Sequence, residues 1–271
     1  MRFIDILGQL AALDDARLED PLPVAIVASR FTVPADVETV DTRYGLLFRA
    51  LEAEQEAIVR ARIAYRGSEA QRILGLAQVA FGDLRGVLAG VSGDHLDHEP
   101  REGEWSARRA LVHTINGERS YRAQVTHAVG RAGTEPLLLP AERRPQPDPA
   151  DTEGDGSAVA ERLAARRSET DAELGRTPDD RLTRPSQWGW GPKAVGVDVR
   201  FRLHRFASHI VEHTIQVERA LEAAGVTFGD ARRTVRRISI ARAMHERITS
   251  ADDLARLDAE HEARMRTPVT A

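Results

Sequence analysis

Cysteine is absent from this chain of 271 residues, which removes disulfides, thiolate metal ligands and a cysteine nucleophile together. Any sulfur chemistry must therefore use a thiol that arrives with a substrate. Lysine is almost absent as well. Lys193 stands alone within a combined Lys and Arg count of 38, a bias that points to GC-rich coding. Long apolar runs are missing, as is an N-terminal basic stretch followed by an apolar one, so neither a membrane span nor a leader is expected. Neither charge sign dominates. A net charge of −4 and a pI near 6.2 leave no electrostatic footprint for nucleic acid. The densest basic spot, Arg232-Arg233 with Arg236-Arg237, is short and interrupted. These absences predict a soluble, cytoplasmic protein that binds neither nucleic acid nor a membrane.

What the chain does have is helical periodicity. Apolar residues recur at three- and four-residue intervals over about 69–91 (Ile73, Ala77, Ala80, Leu84, Val87, Val91). The same period runs through about 106–129, 157–175 (Val159, Leu163, Leu174) and 198–224 (Val199, Leu203, Phe206, Ile210, Val217, Leu221). Ser106 is a candidate N-cap, Ser157 lies near a third start, and Gly225 marks a stop. Shorter helices are expected at 3–13, 41–65, 230–248 and 250–265, the last opened by Ser250 with Asp252 and Asp253. Strand-like alternation is scarce, so the fold class is all-α. Pro21 to Val27 reads as an extended stretch that packs along the helices or forms a lone strand.

Two connections stand out. Residues 130–156 hold Pro136, Pro140, Pro145, Pro147 and Pro149, which excludes regular helix. About 27 residues at roughly 3.3 Å each can run the length of a helix bundle. Leu137-Leu138-Leu139 must pack on something, as a cover for a site or as a structural clasp, and the segment as a whole is expected to be the most mobile internal one. In Gln187-Trp188-Gly189-Trp190-Gly191-Pro192, tryptophans sit among glycines; a plug for the bundle end is preferred to a ligand wall.

His209 and His213 stand four apart in a helical run, so both imidazoles project from one face. His113, on a second helix, shares a side with Ala110, Gly117, Ser120 and Gln124. Three such imidazoles would hold one metal ion and leave a coordination position open, as catalytic sites require. The bland alternative is three hydrogen-bonded core histidines. His95 and His98 read as a solvated loop pair, and His127, His204, His245 and His261 lack a visible partner.

At these residues the chain resembles the DinB/YfiT-like superfamily of metal-binding helical bundles. The likeness rests on Trp105-Ser106-Ala107-Arg108-Arg109-Ala110-Leu111-Val112-His113 and on His209-x-x-Glu212-His213-Thr214-Ile215-Gln216, and covers about 68–228. It implies a four-helix bundle with extra helices at both termini: an extension at 1–67 packed on the bundle, the bundle at 68–228, and a helical extension at 229–271. It also implies a crossover between the second and third bundle helices, and a divalent metal on His113, His209 and His213. Zn is the default for imidazole, with Ni or Fe as alternatives.

Members of that superfamily include thiol-dependent transferases and isomerases. The resemblance therefore implies a metal-dependent transferase that activates a low-molecular-weight thiol, such as mycothiol or bacillithiol, for a small electrophile. A hydrolase that uses a metal hydroxide, and a non-catalytic metal-binding bundle acting as an interaction module, remain alternatives; so does a homodimer through the terminal helices. Glu212 could act at the metal's outer shell as a base, or simply pair with Arg205 or Arg219. Gln216, one turn beyond the histidines, could orient a substrate or be an ordinary buried amide. Asn116 and Glu118 read as helix-surface residues.

Overall fold

The computed structural model describes residues 3–12, 21–22, 41–42, 47, 50, 53–54, 57, 67–189 and 195–270. In chain order its helices are α1 (Phe3–Ala11), α2 (Glu69–Leu88), the short α3 (Gly93–Asp97), α4 (Ala107–Gly130), α5 (Gly156–Leu174), α6 (Val199–Ala223), α7 (Asp230–Ile248) and α8 (Ala251–Thr270). Strands β1 (Pro21–Leu22) and β2 (Asp41–Thr42) pair antiparallel, as do β3 (Pro185–Trp188) and β4 (Val195–Asp198). The fold is mainly helical, as the periodicity predicts.

Helices α2, α4, α5, α6 and α8 each start where a side-chain oxygen takes an orphan backbone N–H, whereas Gly229 opens α7 without a side-chain cap. Ser68 opens α2 with a full capping box, its Oγ accepting from the Gln71 N–H while Gln71 reaches back to the Ser68 N–H. Ser106 caps α4 and Ser250 Oγ accepts from the Asp253 N–H. For α5 the cap is Asp155, two residues before Ser157. Asp198 caps α6, and Gly225, at φ +91°, follows its end.

The apolar stripes of α2, α4, α5 and α6 meet in one core that includes Leu74, Leu84, Leu111, Leu163, Leu203 and Phe206. In this bundle α2 and α4 each pack against both α5 and α6. Arg122 pairs with Glu169, and the Thr126 hydroxyl donates to Glu173. Numbers rise together along α4 and α5, so these two helices run parallel. Residues 131–155 must therefore return the chain to the start of α4, which is the crossover anticipated above. Arg108 fastens the return by donating to the Thr152 and Gly154 carbonyls and to Asp97.

The core also holds an ion pair. Arg167, 1% exposed, donates to Glu118 at 2.6 Å and to Asp171 at 3.0 Å. Burial raises the Glu118 pKa, an effect the Arg167 charge only partly offsets. Glu118 is thus buried, not the helix-surface residue expected from sequence.

The C-terminal extension is built into the bundle. α7 lies along α2, where Gly82 and Gly86 let the backbones touch: a Cβ on Gly82 would come within 2.8 Å of the Ser239 carbonyl oxygen. A second core joins Phe3, Ile6 and Leu7 to Leu47 and Ala50 and to Val235 and Ile238 of α7. The N-terminal residues thus pack chiefly on the C-terminal helices. Leu47, Ala50, Ala53, Glu54 and Ala57 are helical, in keeping with the helix expected at 41–65, but Asp41–Thr42 is strand. Tyr44, Leu51 and Ile58 of that expectation lie outside the described residues, as do residues 23–27 of the extended stretch. Pro21–Leu22 form no lone strand, since β2 pairs with them.

Several histidines expected to lack partners have them. His245 Nδ1 lies 2.9 Å from Glu54 Oε2, and His261 Nε2 is 3.4 Å from Glu54 Oε1. His127 Nε2 donates to the Pro136 carbonyl at 2.9 Å. His95 lies in α3, not a loop, with Nδ1 2.8 Å from Ser92 Oγ. Among the described residues, no helix is long and apolar enough to cross a membrane.

Candidate metal centre and its pocket

The antiparallel approach of α4 and α6 brings the three histidines together. One ring nitrogen from each of His113, His209 and His213 lies within 4.8 Å of the others. The Nε2 atoms of His209 and His213 are 3.1 Å apart, close to the separation of two ligands on one tetrahedral ion with bonds of about 2.0–2.1 Å. His209 and His213 are buried, at 5% and 6% exposure, whereas His113 is exposed and forms the open side.

Neighbouring residues set the rings for ligation. Gly117 faces His209 across the helix interface, and a Cβ there would overlap the imidazole. Trp105 stacks nearly parallel on His213, centroids 6.4 Å apart, and leans on His113 at 5.3 Å. Gln216 Oε1 lies 2.9 Å from His213 Nδ1. The amide oxygen can only accept, so Nδ1 carries the proton and the Nε2 lone pair points at the cluster.

Electrostatics favour the neutral, ligating form. Burial, then His213, His113 and Arg205, push His209 down to about 3. His113 is lowered by burial and by His213, with Glu212 opposing. A cluster of uncharged imidazole nitrogens suits a divalent cation, so the three residues could hold one metal ion.

The centre adjoins a cavity of about 460 Å³, within the range of small-molecule sites. His113, Gly117, Ser120 and Gln124 line one wall, the side they were expected to share. Leu138 and Leu139 from the crossover line another, held by the Gln124 side chain, which donates to the Leu137 carbonyl and accepts from the Leu139 N–H. The crossover is thus a packed wall of the pocket. Trp188 closes the far side, against Tyr121, with the guanidiniums of Arg202 and Arg205 each 5.0 Å from its ring. The expected plug is therefore a pocket wall at Trp188, because the β3–β4 hairpin folds it over the cavity; Trp190 to Pro192 lie outside the described residues.

Of the two residues proposed to assist chemistry, Gln216 lies against the His213 ring, at Nδ1. Glu212 is 64% exposed, with a carboxylate oxygen 3.8 Å from Arg205. Arg202 and Tyr121 were missed. Each lies inside an apolar helical period, where a single polar residue gives no signal until the facing element is known.

A family model for the DinB superfamily matches residues 77–217, a stretch that contains Trp105 and all three histidines. No curated protein and no solved structure matches the chain. With half of the sequence accounted for by that family model, and its helices arranged as a bundle around the cluster, the chain belongs to the DinB superfamily.

Proposed function

We propose that the protein is a metal-dependent transferase that joins a low-molecular-weight thiol, of the mycothiol or bacillithiol kind, to a small electrophile. The observation that carries this reading is a three-histidine cluster opening onto a small-molecule cavity in a chain with no cysteine of its own. On these three neutral imidazoles a divalent cation, Zn by preference, would keep its full charge and would lower the pKa of a thiol bound to it toward neutrality.

The protein's side chains supply the rest. Gln216 fixes the His213 tautomer, and Trp105 limits how far two of the imidazoles can turn. Leu138, Leu139 and Trp188 exclude water from the sulfur and hold the two reactants close. In the transfer, a sulfur–carbon bond forms while the leaving group departs with its bonding pair. The thiol proton passes to solvent, with Glu212 at the exposed rim as an acceptor.

The test is a conjugation assay on metal-loaded protein, with a panel of thiols and monobromobimane as electrophile. The expected rate depends on thiol and metal and collapses in His113→Ala. A rate no higher than that of chelator-treated protein across the panel, or a substrate turned over without thiol, would refute this reading.

A further inference from the structure

Arg202 lies in the first turns of α6, 5% exposed, on the wall of the cavity that also takes in His113 and His209. Its Nε donates to Ser186 Oγ at 3.3 Å, and its charge sits over Trp188. Among the described residues no carboxylate pairs with it. Three other buried arginines have acids: Arg167 has Glu118 and Asp171, Arg242 has Glu54 and Asp258, and Arg85 has Glu246. A fourth, Arg131, spends its guanidinium on the carbonyls of Ala132, Glu135 and Pro185, which Arg202 does not do among the described residues. Burial draws Arg202 down to about 10, with the Tyr121 phenol a smaller opposing influence. A cation held out of water without a counter-charge costs stability, and a folded chain that retains one has a use for it. The same cavity wall carries Arg144 and, among its described lining residues, neither Asp nor Glu.

A guanidinium held by its Nε, with no acid beside it, matches a planar or tetrahedral oxyanion. We propose that the ligand of this cavity is an acid, with a carboxylate or phosphate docked on Arg202 and its other end at the histidines. Arg202 and His209 stand seven residues apart on α6, a rise of roughly 10 Å, which a chain of about nine bonds covers. Between them the Tyr121, Trp188 and Leu139 side chains give the ligand's middle an apolar bed. The assignment names the substrate class of the proposed function and rests on it only for the metal-facing end; the oxyanion end stands on the pocket itself.

Calorimetric titration with octanoate, octyl phosphate and the neutral octanamide tests it on the full-length protein, metal-loaded and chelator-treated. One or both anions should bind more than about tenfold tighter than the amide, the usual worth of a charged hydrogen-bond pair. The stronger anion identifies the oxyanion. That preference should survive chelation and His213→Ala, so failure of the metal reading leaves it measurable. It should vanish in Arg202→Met and persist in Arg202→Lys. The thermal midpoint of Arg202→Met should equal or exceed that of the parent, since the change removes an uncompensated buried charge. Equal binding of anion and amide, no binding of either anion at millimolar concentration, or a preference that survives Arg202→Met would overturn the assignment. So would a lowered midpoint or loss of folding in Arg202→Met, because the guanidinium would then be structural.

Discussion

Gly117 on α4 gives the His209 ring of α6 the space it occupies; any side chain at 117 would overlap the imidazole. Glycine in a helix interior weakens the helix by about 1 kcal/mol relative to alanine. Gly117→Ala is therefore expected to hold or raise the denaturation midpoint while it displaces His209. Metal affinity, measured by competition with a chromogenic chelator, should fall roughly 10–100-fold, the usual range for disturbed ligand support. Unchanged affinity would show that the ring has room elsewhere.

Gln216 supports His213 by a different route, through the proton on Nδ1. Gln216→Met keeps the side-chain volume and loses the acceptor. A loss of about 10–100-fold in metal affinity is expected, with little change in unfolding midpoint. Gln216→Glu, which restores an acceptor, should recover most of it. Equal affinity in all three proteins would mean that the hydrogen bond does not orient the ring.

The buried Arg167–Glu118 pair predicts an asymmetric stability series. Arg167→Ala leaves a carboxylate in the core with its main partner gone, and should cost about 3–5 kcal/mol in urea unfolding. Arg167→Met combined with Glu118→Leu removes both charges and should recover much of that loss. A double variant as unstable as the single one would show that the pair does more than compensate its own burial.

Glu54 gives the terminal helices a pH dependence. Burial alone would raise its pKa, but hydrogen bonds from His245 and His261 and the Arg242 charge overcome this and hold it at about 2, against 4.5 when exposed. A depressed carboxylate stabilises the fold above the unfolded pKa, and the contribution is lost as pH falls from 4.5 toward 2. At 1.36 kcal/mol per unit the difference amounts to about 3 kcal/mol at neutral pH. Glu54→Gln should be less stable than the parent at pH 7, with the gap closing toward pH 2–3. A gap independent of pH would contradict the linkage.

Much of this architecture was legible because its signals are local. The periods at 73–91 and 199–221, the Ser106 cap and the Gly225 stop each depend on residues within a few turns, and the structure follows them to within a few positions. The histidine cluster was legible for a similar reason: an i, i+4 pair fixes two directions at once, and the likeness of the His113 segment supplied the third. The partners of Glu54 could not be read, because His245 and His261 lie about two hundred residues away and meet it only after three helices dock. Glu118 looks like any helix-surface acid until Arg167 arrives from α5. Trp188 among glycines reads as a loop, since the β3–β4 hairpin has too few residues for alternation to show.

The central claim is that His113, His209 and His213 form one metal centre, and cobalt substitution tests it most directly. Co(II) titrated into the apo protein should give one equivalent per chain, with the intense visible absorption of a four- or five-coordinate site. His113→Ala should weaken binding, and the triple alanine variant should abolish the absorption while it keeps its helical circular dichroism. Full cobalt occupancy with an unaltered spectrum in the triple variant, or no binding by the parent chain, would contradict the claim.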